Sequence, residues 1–242
     1  MSTAVLTSVD GQTSHPGIRN LLLDGLTLSS GAVDAISFLG LGKVFTAFMT
    51  GNIAFLGMRV AGDAVAPRVG LLVASMGGYA AGIYLATRII RRSQATTLVW
   101  SPGTTVALGI SLLAHFGFAL GWFATGGRPD DTILPLLLCV WALAMGMQSA
   151  AVRRLDVAGV FTTAATATFI FLVADLANRP LTGDERRRMV GVLISLVIGA
   201  TAGGLLLIHA PIYAPVLPLV ITIGVVATAA RVFRYRDEMR ES

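Results

Sequence analysis

An aspartate, Asp34, stands inside an apolar run near the start of this chain, in the stretch 31–56, GAVDAISFLGLGKVFTAFMTGNIAFL. No basic residue lies within eight positions of it on either side. An ionised carboxylate at bilayer depth costs at least ~2.5–3.5 kcal/mol, so such a group must face a cavity, a partner or a proton. Two chemistries suit Asp34: contact with an ion, solute or proton, or a structural bond to backbone. A second polar group follows the Gly40/Gly42 break, namely Thr46, Thr50, Gly51 and Asn52. Where a helix breaks inside a membrane, its freed amides and carbonyls need partners. Thr and Asn side chains supply them, and Gly permits the turn. The same groups could line the path of a solute, and capping and lining are compatible.

The elements that must position these groups follow from composition. Of 242 residues, 55% are hydrophobic and only 13% charged, against about 25% charged in soluble domains. That leaves too little polar surface to cover a water-soluble globule, and a polytopic membrane protein is expected. The apolar runs are continuous rather than alternating, which selects helices over a barrel. Net charge is +5, carried by 17 arginines and one lysine. This suits positive membrane-facing loops, and no nucleic-acid partner is expected. The single cysteine, Cys139, lies in an apolar run and reads as a packing residue.

Eight apolar segments can be drawn, at about 18–41, 44–61, 68–90, 103–124, 132–152, 157–177, 188–208 and 212–232. Residues 1–17 read as a disordered tail and 233–242 as a charged one. The second and sixth segments are short and Thr-rich. If these two are re-entrant, six helices span. With both termini inside, only Lys43, Arg59, Arg68 and Arg128 then lie outside, leaving 14 of the 18 basic residues inside. If all eight span, 12 lie inside. The positive-inside rule favours six.

The chain also repeats itself. VFTAFMTGNIAFL (44–56) and VFTTAATATFIFL (160–172) match at six of 13 positions. Gly70, Gly78 and Gly82 correspond to Gly191, Gly199 and Gly203. Two windows in the same order argue for a duplication, with halves at about 18–127 and 128–232. Three spans per half would invert the second half relative to the first, placing a site near the midplane; four would leave the halves parallel. The second copy carries Thr162, Thr163, Thr166 and Thr168, with Thr168 in place of Asn52 and Ala167 in place of Gly51. It is the less polar copy, so an asymmetric site is expected.

Other polar residues have plainer readings. Gln148, in MQSAAVRR, is the nearest polar counterpart of Asp34, as a hydrogen-bonding partner or as interhelix glue. Asp24 reads as interfacial, near Arg19. Asp175 and Arg179 are spaced as an i, i+4 ion pair. His115 reads as a packing residue. The pairs Gly78/Gly82, Gly199/Gly203 and Gly117/Gly121 each put two glycines on one helix face for close backbone contact. No catalytic set, nucleotide loop or metal-spaced cluster is recognisable, and neither enzyme activity nor a metal or other cofactor is expected.

GAVDAISFLGLGKVFTAFMTGN, followed by MQSAAVRR, resembles the YoaK-like family of bacterial integral membrane proteins over roughly residues 18–232. The signature is Val33, Asp34, Ala35, Phe45, Thr50, Gly51 and Asn52. The family's second TG-containing motif is reduced here to Thr166-Ala167-Thr168. The resemblance implies a bacterial inner-membrane location and small-metabolite transport. The expected molecule is therefore an all-α polytopic membrane protein with about six spanning helices, two short interrupted or re-entrant segments and an inverted repeat. Both termini would be cytoplasmic. Its pathway residues would be Asp34, Thr46, Thr50, Gly51, Asn52, Gln148, Thr162 and Thr166. Its partners would be the lipid bilayer and a small solute, with a homo-oligomer left open. A non-transporting assembly or sensor module is the alternative.

Overall fold

The computed structural model describes residues 16–92, 101–154, 165–177 and 182–238. Their α-helices are α1 (Pro16–Gly40), α2 (Met49–Val60), α3 (Val69–Arg92), α4 (Pro102–Ala124), α5 (Leu134–Arg154), α6 (Ala165–Ala177), α7 (Gly183–His209) and α8 (Val216–Glu238). A single 3-10 turn, Pro211–Tyr213, precedes α8. Six of them (α1, α3, α4, α5, α7 and the helix that includes α8) are long and apolar enough to cross a bilayer. Helices α2 and α6, with 12 and 13 residues, reach only about 18–20 Å, short of a hydrocarbon core of about 30 Å. The protein is an all-α polytopic membrane protein with six spanning helices and two short helical segments. Large apolar side chains such as Leu113, Leu120, Val197 and Ile208 are exposed on the outside, where acyl chains cover them.

Local chemistry sets the helix ends. At the end of α1 the Lys43 amide donates to the Phe38 carbonyl and the Leu41 amide to Ser37. Gly42 has φ +80° and Lys43 +62°. Two successive left-handed residues reverse the chain, and glycine at the first makes the helix stop cheap. Helix α4 opens on Ser101, whose hydroxyl accepts from the Thr104 amide, with Pro102 in its first turn. Helix α7 begins five residues before the apolar run at 188. Thr182 and Glu185 form a reciprocal capping box there, which satisfies two otherwise orphaned amides.

The core is two apolar clusters stacked along the bundle. One holds Leu22, Leu23 and Leu26 of α1 with Ala86 and Ile90 of α3 and Met147 and Ala151 of α5. The other holds Val33 and Ile36 of α1 with Leu71 and Leu72 of α3 and Leu137, Leu138 and Trp141 of α5. Early positions of α1 thus meet late positions of both α3 and α5, so α1 is antiparallel to each. If α2 crossed the layer, α1 and α3 would run parallel.

Glycines bring two helix pairs into backbone contact. A Cβ at Gly199 or Gly203 of α7 would overlap Leu28 or Ala32 of α1, and one at Gly31 would overlap the Leu196 carbonyl. A Cβ at Gly78 or Gly82 of α3 would overlap the carbonyls of Cys139 or Leu143 of α5, and one at Gly146 that of Tyr79. Numbers rise together on both sides, so α1 is parallel to α7 and α3 to α5. Polar contacts add to this packing. Tyr79 donates to Ser149 at 2.9 Å between α3 and α5, and the hydroxyls of Ser29 and Thr222 lie 3.1 Å apart between α1 and α8.

Three expectations change. Residues 44–48, read as the start of the second apolar segment, are not helical, because the Asp34 carboxylate takes their amides (below). Asp175 pairs with Arg186, Oδ2 to Nη2 at 2.6 Å; α7, extended by its cap, carries that arginine to it, and Arg179 lies outside the described residues. Asp24 and Arg19 form no ion pair. The Asp24 carboxylate instead turns toward Gly191 of α7, whose missing side chain leaves room for it.

Candidate functional site: the Asp34 loop and the mid-bundle polar groups

After α1 ends, residues 41–48 fold back along it. Asp34 Oδ1 accepts from the Thr46 amide at 2.9 Å, the Ala47 amide at 2.8 Å and the Thr46 hydroxyl at 3.4 Å. Asp34 is six residues before the end of α1, which is about 9 Å of helix. The chain therefore re-enters by that depth before α2 begins. Phe48, at the N-cap position of α2, has no side-chain cap of its own. Asp34 supplies negative charge at this positive helix end from a different helix. Thr46 is fully buried beside it.

Asn52 fixes the other side of the loop. It is fully buried. Its Oδ1 accepts from the Phe45 amide at 3.0 Å, and its Nδ2 donates to the Phe45 carbonyl at 2.7 Å. Ser75 of α3 donates to the same carbonyl at 2.6 Å and accepts from Asn52 Nδ2 at 3.3 Å. Gly51 has a steric role. A Cβ there would come within 2.6 Å of the Phe48 ring and 3.1 Å of the Phe45 ring. The Phe45 ring stacks on Phe38 at 4.8 Å and meets Phe48 edge-on at 5.3 Å.

The structure thus gathers Asp34, Thr46, Gly51 and Asn52 around one loop. Thr50 is on the same short helix but exposed. Gln148 is elsewhere, fully buried on α5, with Nε2 donating to the Leu26 carbonyl of α1 at 3.0 Å. Thr166 is exposed on α6, whereas Thr168 is buried. Thr162 and Thr163 lie outside the described residues. Among the described residues, no three His, Cys, Asp or Glu side chains come together as metal ligands.

A second polar locus lies deeper in the bundle. His115 of α4 accepts the Trp141 indole N–H on Nδ1 at 3.0 Å. An indole nitrogen only donates, so the ring proton sits on Nε2. That Nε2 is buried without a partner, as are Gln148 Oε1 and Ser30 Oγ. Leaving one such atom unsatisfied costs about 1–3 kcal/mol. Ser30 and Ser75 were not singled out from the sequence. A signal for the first existed: Thr27, Ser30, Asp34 and Ser37 form a stripe at helical spacing through an apolar run.

Six long apolar helices and two short ones define a polytopic integral membrane protein. Residues 22–228 match the family model described as "Protein of unknown function (DUF1275)". The chain is 34% identical over 161 residues to the UPF0700 transmembrane protein YoaK of Bacillus subtilis (strain 168), spanning 66% of this chain and 68% of that one. The chain belongs to this DUF1275, YoaK-like family of bacterial membrane proteins. No solved structure matches it.

Proposed function

We propose that the protein moves a small solute across the bacterial inner membrane, as a channel or as a passive or ion-coupled transporter. The observation that carries this reading is the backbone break at residues 41–48. It is folded back into the apolar layer against a half-buried carboxylate that uses Oδ1 for all three of its hydrogen bonds from Thr46 and Ala47. Irregular backbone at membrane depth is tolerated where it is buried in protein or lines a cavity, and transporters place binding sites at interrupted helices. In this reading Asp34 is the charged determinant, and Thr46, Thr50, Gly51 and Asn52 belong to the lining or its support. Gln148 and the threonines of the second half complete the path.

An inverted repeat accounts for the packing. Exchanging the halves maps the α1–α7 pair onto α5–α3, and the glycines of α7 onto those of α3. Six spans put both termini on one side, and the excess of arginines there makes that side the cytoplasm. The test is flux in reconstituted vesicles, wild type against Asp34→Asn. Unchanged flux of a demonstrated substrate removes Asp34 from the mechanism.

A specific observation favours the second reading, a non-transporting assembly or sensor module. Asp34 and Asn52 direct their hydrogen bonds chiefly to backbone, as pure scaffolding would. In that case no solute moves, and Asp34→Asn alters stability alone.

A further inference from the structure

We infer that the junction of α1, α4 and α5 binds an uncharged molecule that both donates and accepts hydrogen bonds, in a size range from water to urea or glycerol. This rests on the transport reading and names its substrate class.

Three buried polar atoms without partners carry the inference: Ser30 Oγ, His115 Nε2 and Gln148 Oε1. They belong to α1, α4 and α5, which contribute side chains to the same apolar clusters. Ser30 is one turn from Leu26, the residue whose carbonyl takes the Gln148 amide. It therefore lies on the face of α1 turned toward α5, within about 40° of Leu26. Gln148 and Trp141 are seven residues apart on α5, two turns, and so share a stripe. His115 sits on Trp141. The antiparallel run of α1 against α5 sets Ser30 at a level between Gln148 and Trp141. The three atoms thus form a short column, about 10 Å long by helix rise.

Their chemistry is fixed by the bonds already made. The Leu26 carbonyl can only accept, so the Gln148 amide nitrogen faces it and Oε1 is left as an acceptor. The Trp141 indole holds His115 Nδ1, so Nε2–H is left as a donor. The Ser30 hydroxyl does either. One donor, one acceptor and one hydroxyl, with no fixed charge among them, fit a neutral bifunctional molecule. They do not compensate an ion. Asp34 is four residues further along the same face of α1, about 6 Å from Ser30 and level with Trp141, and its Oδ1 is taken up by Thr46 and Ala47.

The experiment uses the full chain in proteoliposomes and stopped-flow light scattering. Gradients of urea and of glycerol are compared with guanidinium chloride, which has urea's shape and a charge. Wild type is expected to admit urea or glycerol several-fold faster than empty liposomes, and guanidinium no faster. Ser30→Ala and Gln148→Met are each expected to cut the neutral excess several-fold. If guanidinium enters and neither neutral solute does, the substrate class is overturned while transport stands. If a neutral solute passes and neither variant slows it, the junction is overturned as the site. If nothing passes, the neutral substrate class is overturned without deciding transport of other solutes, and the thermal midpoint of Ser30→Ala decides the junction alone. An occupied junction loses a hydrogen bond and the midpoint drops, which supports binding of water. A dry one sheds an unpaired hydroxyl and the midpoint rises, which overturns the inference.

Discussion

Asn52 holds Phe45 by both ends of its backbone, accepting from the amide at 3.0 Å and donating to the carbonyl at 2.7 Å. A side-chain amide here does what a neighbouring strand does in a sheet. It satisfies an amide and a carbonyl that the main chains of α1 and α2 leave unpaired. The loop stands between two such supports, Asn52 on Phe45 and Asp34 on Thr46 and Ala47.

Removing the first support leaves the buried Phe45 amide unpaired, while Ser75 still serves the carbonyl. Asn52→Ala is expected to lower stability by about 2 kcal/mol. Asn52→Asp keeps the acceptor but loses the donor and buries a charge, and is expected to be no better. Unfolding in detergent, followed by tryptophan fluorescence, measures both.

Removing the second support frees the loop around Lys43, which is exposed. Hydrogen bonds to a charged group contribute about 1.5–3 kcal/mol. In Asp34→Ala, trypsin is expected to cut after Lys43 at least about tenfold faster. In Asp34→Asn the amide oxygen still accepts from Thr46 and Ala47 but without the charge, so cleavage is expected between the wild-type and Asp34→Ala rates. Equal rates in all three proteins would show that the carboxylate does not hold the loop.

Six spans place Arg59 and Arg153 on opposite sides of the membrane. In a Cys139→Ala background, a cysteine at 59 is expected to react with an impermeant maleimide in intact cells. A cysteine at 153 is expected to react only after permeabilisation. The opposite pattern would invert the orientation, and labelling of both from one side would remove the six-span arrangement.

The glycine contacts predict position-specific damage. A Cβ at Gly78 overlaps the Cys139 carbonyl, whereas one at Gly70 on the same helix meets nothing within 4 Å. Gly78→Ala is expected to destabilise by about 1–3 kcal/mol, since backbone cannot move aside cheaply. Gly70→Ala is expected to be neutral or stabilising. Thermal midpoints of the two variants, side by side, make the comparison.

The spans were legible because an apolar run must end where charge or a breaker stands. Arg91/Arg92 closes α3 and Gly126/Gly127 follow α4, as read. Of the polar residues read from the sequence, Asp34, Thr46, Gly51 and Asn52 meet at one loop, whereas Gln148 bonds elsewhere and Ser75 of the loop was missed. Asp34 and Asn52 announce themselves by being polar in apolar company, yet nothing local says that their partners are backbone groups 7–13 residues further on or back. The same contacts explain why 44–48, apolar enough for helix, is not helical: a tertiary bond to Asp34 outweighs propensity. The Asp175–Arg186 pair was hidden because i, i+4 spacing assumes one continuous helix. His115 was read as plain packing, and its unpaired Nε2 shows only once Trp141 is seen to occupy Nδ1.

The crossed pairing of α1 with α7 and of α3 with α5 bears on how the chain is made. When α4 has left the ribosome, the glycine faces of α1 and α3 have no partner yet, and both surfaces meet lipid until the later segments arrive. A polypeptide stopped after α4 is therefore an incomplete body rather than a small stable one. Cutting the connection between α4 and α5 gives two fragments, each holding what the other lacks, and co-expression is the condition under which either persists.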